Sequence, residues 1–212
     1  MAVAAGLMAI AVAARSLVRR QGWDRALPEP VLADAVPASD PVPIGMTAAR
    51  LTIAFRPVRA GLNLLSATVE GEITLTNAGD RPAEAIRVEA RVLSAHAEQD
   101  VEIAAVLNEP VARPIAAPFD LGPGESRRVR VVVALLHEAI RRYFVGGREM
   151  FVPMITVNAQ FRSGEASRQV GQAFAVGNAR ADSAKLAPFW LDAGSQMHVG
   201  VATRIHGELV ER

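Results

Sequence analysis

The sequence predicts an all-β fold: one antiparallel sandwich of about seven strands within roughly 130 residues. An N-terminal apolar helix precedes it, and a C-terminal tail packs on the domain. Three observations predict this. From Arg50 onward, apolar and polar residues alternate with the period of a strand that has one face in a core and one in water. The breaks between these runs carry turn residues. Helical stretches do not alternate with the strand-like runs, which disfavours a βαβ fold.

The strands follow in order. Leu51, Ile53 and Phe55 alternate with Thr52 and Ala54. Val69, Ile73 and Leu75 alternate with Glu70, Glu72, Thr74 and Thr76. Ile86, Val88 and Val92 alternate with Arg87, Glu89 and Arg91. Val129, Val131 and Val133 share one parity, with Arg128 and Arg130 on the other. Phe151, Ile155, Val157 and Phe161 face one way, and Thr156, Asn158 and Gln160 the other. Val170, Phe174 and Val176 close the series. Asp100 to Leu107 alternates more weakly and reads as an extra strand. Leu136 to Phe144 (LHEAIRRYF) is expected to form one short helix.

Asn77-Ala-Gly79-Asp80-Arg-Pro82 and Leu121-Gly-Pro-Gly-Glu-Ser126 read as turns, and Ser163-Gly164-Glu165 as a hairpin tip. Asn77, Gly79, Asp80, Pro82 and Ala83, followed by Leu121, Pro123, Gly124, Glu125 and Ser126, resemble the turn motifs of bacterial immunoglobulin-like modules of the CARDB type. The resemblance covers about residues 48–178. It implies an immunoglobulin-like sandwich and no reaction, because these motifs specify turns. The whole plan resembles single-pass bacterial membrane proteins with one such domain. The long Ala/Pro-rich stretch 94–120 and the tail 179–212 depart from the simplest module.

Residues 1–14 (MAVAAGLMAIAVAA) carry no charge and are followed by Arg15, Arg19 and Arg20. Residues 1–20 read as a transmembrane anchor, extended by Leu17 and Val18 where Arg15 snorkels. The run also suits the apolar part of a signal peptide, with Ala11-Val12-Ala13 resembling a cleavage site, but no basic residue precedes it. With an anchor, the arginines place the domain on the cytoplasmic side of the inner membrane; with a signal peptide it is periplasmic. Residues 21–46 hold five of the 13 prolines and read as a Pro-rich linker. The sandwich then spans 47–178 and the tail 179–212.

In the tail, Phe189, Trp190 and Leu191 are too apolar for a free segment. They are expected to pack back on the sandwich, the other reading being a partner-binding patch. Arg128 and Arg130 point outward together, as a solvated face or as a patch attracted to anionic lipid headgroups or an acidic partner. These two arginines with Phe189 and Trp190 are the candidate partner-contacting residues.

Composition excludes several classes of function. The formal net charge of +1 argues against nucleic acid, and the lack of cysteine removes disulfides, thiol nucleophiles and thiolate metal sites. His96, His137, His198 and His206 show no metal-ligand spacing. GxSxG, GxxxxGK[ST] and GxGxxG are all missing, and the loop acids Asp80, Glu98, Asp100 and Asp120 form no DxDxD cluster. The expectation is therefore a non-catalytic interaction or structural module without cofactor or metal. The lipid bilayer is its partner through the N-terminal segment, and a protein is its partner through the domain. The alternative is a secreted or periplasmic module that binds a ligand such as glycan.

Overall fold

The computed structural model describes residues 48–212, except Asp182. The anchor at 1–20 and the linker at 21–46 lie outside the described residues. Strands account for 63% of what is described, so the chain is all-β. In chain order the elements are β1 (Leu51–Leu62), β2 (Ser66–Asn77), β3 (Ala83–Ser94), α1 (Gln99–Asn108), β4 (Phe119–Leu121), β5 (Ser126–Leu136), β6 (Tyr143–Val145) and β7 (Arg148–Phe151). Then come β8 (Pro153–Ser163), β9 (Ala166–Arg180), β10 (Ser183–Ala187), β11 (Phe189–Trp190), β12 (Gln196–His198) and β13 (Val201–Glu211).

One sheet has the order β12-β1-β2-β5. The other runs β10-β9-β8-β3-β4, with β13 also on β9. All pairings are antiparallel. Asn178 faces Ala187 of β10 and Val201 of β13, so β9 has a neighbour on each side there. A third, small sheet has the order β11-β7-β6. The alternating side chains meet between the two large sheets. Leu51, Ile53 and Phe55 are buried with Ile73, Leu75, Val131, Ile155, Val157 and Phe174. Phe55 and Phe174 meet with ring centroids 5.9 Å apart.

Two local expectations are corrected. Asp100–Leu107 lies in the helix α1, not in a strand. Ile103 and Leu107 are one helical turn apart, and together they cover Met154 and Ala173 on the outer face of the β8–β9 sheet. That cover explains why Thr156 and Asn158, expected to face water, are buried. Asn158 Nδ2 and Gln169 Nε2 both donate to the carbonyls of Leu107 and Glu109 at the helix end. Leu136–Phe144 is not a helix. A single 3₁₀ turn, His137–Ala139, ends there, and Tyr143 already starts β6. Only Ile140 in the turn segment is buried, too little apolar surface to hold a longer helix against the sandwich.

The two turn motifs are joined by one side chain. Asn77 is fully buried. Its Oδ1 accepts from the amides of Arg50 and Gly79, and its Nδ2 donates to the carbonyls of Arg81 and Leu121. Gly124, at φ 75°, gives its amide to the Asn77 carbonyl. Glu125 closes its own turn by accepting from Gly122 N at 2.7 Å. The chain enters the sandwich beside these turns, where Ala49 N donates to Ser163 Oγ.

Candidate functional site

The opposite end of the sandwich is built from four segments distant in sequence. Between β1 and β2, Asn63 Oδ1 accepts from the amides of Leu65 and Ser66 at 2.8 Å, and its Nδ2 donates to Ser66 Oγ and Thr68 Oγ1 at 3.0 Å. This side-chain turn leaves Leu64 and Leu65 facing water, 87% and 75% exposed. After β5, His137 N donates to the Leu65 carbonyl, and Ile140 is buried. The β6–β7 hairpin turns through Gly146 and Gly147, at φ 58° and 79°, and exposes Phe144 and Val145. The fourth segment is Leu191–Ser195.

These segments enclose a concavity of about 310 Å³. Leu62, Leu64, Ile140 and Leu191 supply its apolar wall. Arg142 and Glu149, paired at 3.1 Å, are its charged members. His137 lines it too, and His137 Nε2 is buried without a hydrogen-bond partner. An apolar hollow with a few polar groups suits insertion of a side chain from a ligand or partner protein.

The residues singled out in the sequence fall in two separate places. Phe189 is 1% exposed, tilted against Phe151 and edge-on to the His198 ring with centroids 5.7 and 5.5 Å apart. Its ring belongs to the interior. Trp190 is half-buried under the Arg148 guanidinium, 4.2 Å from the ring centre. Arg128 and Arg130 are exposed on the outer face of β5, where Thr74 and Glu72 of β2 stand opposite them. Glu72 bonds Arg56 at 2.6 Å. That bond, with smaller contributions from Arg128 and Arg130, holds the Glu72 carboxyl below the usual range although burial acts the other way.

Other polar groups have structural partners. Glu89 is buried and accepts from the Ala112 and Arg113 amides and from Arg91 Nε. Burial pushes its carboxyl up, but the Arg91 bond and the two amides outweigh this and leave it below the usual range. His96 bonds Glu102 at 2.6 Å and His206 bonds Asp100 at 2.7 Å. Among the described residues no group of three or more His, Asp or Glu could hold a metal ion, and no helix is long and apolar enough to cross a membrane.

No protein-family model, curated protein or solved structure matches this chain. Functional evidence therefore rests on the site itself. Sequence reasoning missed the concavity. Leu64-Leu65 between two strands was the available signal, since two leucines at a tight turn have no core to fill.

Proposed function

We propose that this chain is a membrane-held, non-catalytic interaction module with an immunoglobulin-like sandwich. The strand order supports the fold assignment. β1-β2-β5 faces β4-β3-β8-β9, the order expected when the first, second and fifth strands of such a sandwich form one sheet. The apolar run 1–14 with its following arginines supports attachment to a bilayer.

One observation carries the interaction reading: Leu64, Leu65, Leu136, Phe144 and Val145 are exposed around the hollow lined by His137. Large apolar side chains gathered at one end of a domain mark a contact surface. The partner is a protein that seats an apolar side chain in the hollow, beside the Arg142–Glu149 pair. The described chain enters the sandwich at the far end, where Ala49 N donates to Ser163 Oγ.

A photo-crosslinking residue placed at Leu64 or Phe144 of the full-length protein in its own membranes tests this. A discrete adduct is expected at both positions, absent with the same residue at Glu165 in the opposite end. Its loss on Leu65→Asp is the second expected result. Equal labelling at all three positions would overturn the reading.

A further inference from the structure

We infer that β5 is a docking strand for a second copy of this chain, joining two sandwiches through an antiparallel β5–β5 pair. Among the described residues β5 ends its sheet and pairs with β2 alone. Its pairing runs from Ser66 opposite Leu136 to Thr76 opposite Ser126 without a break. Among the described residues no backbone group of Arg127–Leu136 bonds outside that pairing. A long, straight, unpaired edge is a template for another strand.

The other edges of the two large sheets are short or interrupted, β10 being five residues long with a broken register. β12 and β4 are three residues long. β1 beyond β12 carries Pro57 and a register break at Pro57–Arg59. β13 is broken between His206 and Val210, where Gly207 has φ 68°. The open side of β3 is met by Ile115, whose amide bonds the Val88 carbonyl. On β5, protection stops half-way: Arg127, Arg128 and Arg130 guard the first half, but Val131–Leu136 has no charge, proline or bulge. Val132 and Leu136 are 66% and 56% exposed.

The half-guarded pattern fits a second copy. An antiparallel pair centred on Val132 sets Val132 against itself, Arg130 against Ala134, and Arg128 against Leu136. The two Arg130 side chains are then offset by four residues, about 13 Å along the strand. A register centred on Arg130 would set like charges directly opposite each other, which is destabilising. The arginines thus exclude registers centred on Val129 or Arg130, where they would face one another, and leave the uncharged half of β5 free to lie against them.

The protein has no cysteine, so single-cysteine variants of the full-length chain in mild detergent report the contact directly. Val132→Cys is expected to give a disulfide-linked dimer on oxidation. Ala54→Cys, exposed on the outer face of β1, is not. Light scattering on the unmodified chain is expected to show a dimer that Val132→Lys converts to monomer, while the variant still unfolds in one cooperative urea transition because Val132 is exposed in the single chain. A monomeric unmodified chain, a dimer that survives Val132→Lys, or crosslinking no greater at 132 than at 54 would each overturn the inference. Survival of the dimer would place the association elsewhere in the chain.

Discussion

The Arg148 guanidinium lies 4.2 Å from the centre of the Trp190 ring and forks onto Asp192 through hydrogen bonds of 2.7 and 2.8 Å. It ties the small sheet to the turn after β11, next to the hollow. The bond from Arg148 holds the Asp192 carboxyl below its usual range although desolvation opposes this, and it raises the Arg148 pKa in return.

A lowered carboxyl pKa means that the clasp is intact above the ordinary carboxylate range and is lost as pH falls through the depressed value. With Trp23→Phe leaving Trp190 as the only tryptophan, the emission is expected to change in a step below about pH 4. Asp192→Asn should abolish the step, and Arg148→Ala should shift the emission at neutral pH. An acid step that persists in Asp192→Asn would contradict this arrangement.

Asn77→Ala removes four side-chain hydrogen bonds from a fully buried position and strands two carbonyls and two amides. The expected loss is about 3 kcal/mol, which corresponds to roughly 6–12 °C in Tm. Urea unfolding measures it, with Thr74→Ala on the outer face as a comparison expected within about 0.5 kcal/mol of the unmodified protein. A loss below about 1 kcal/mol for Asn77→Ala would show that the two turns stand without their link.

Glu89 gives the sandwich an acid dependence. Its folded pKa is lowered, so the unfolded chain binds the proton more readily, and stability rises with pH through that range. The contribution is present above about pH 4.3 and fades as pH falls through the folded value. Glu89→Gln should be less stable than the unmodified protein at neutral pH, with a gap that narrows in acid. A gap of constant size from pH 7 to pH 3 would refute the assignment.

The sheets were legible because period-two burial is a property of the chain itself. Leu51, Ile53 and Phe55, and Val129, Val131 and Val133, all point inward as their parity demands. Asn77 and Glu125 were legible as turn residues, though the bond network between their turns was not, since it joins residues 44 or more apart. The helix α1 was misread because Ile103 and Leu107 share a parity and also lie one helical turn apart; only the cover they give Met154 decides between the two. The hollow left one local sign, the leucine pair Leu64-Leu65 at a tight turn, and the rest of its lining comes from distant segments. Leu64, His137, Arg142 and Leu191 meet only after both hairpins and the tail have folded.

The most direct test of the central proposal, a domain held at a membrane to meet a partner, is a topology assay on the full-length chain. Reporters active only in the cytoplasm or only in the periplasm are fused after Arg212, and the membranes are extracted with carbonate. Retention in the membrane with an active cytoplasmic reporter is the expected result. Release with an active periplasmic reporter would contradict it, because residues 1–14 would then act as a removable signal and the partner would have to be sought in the envelope.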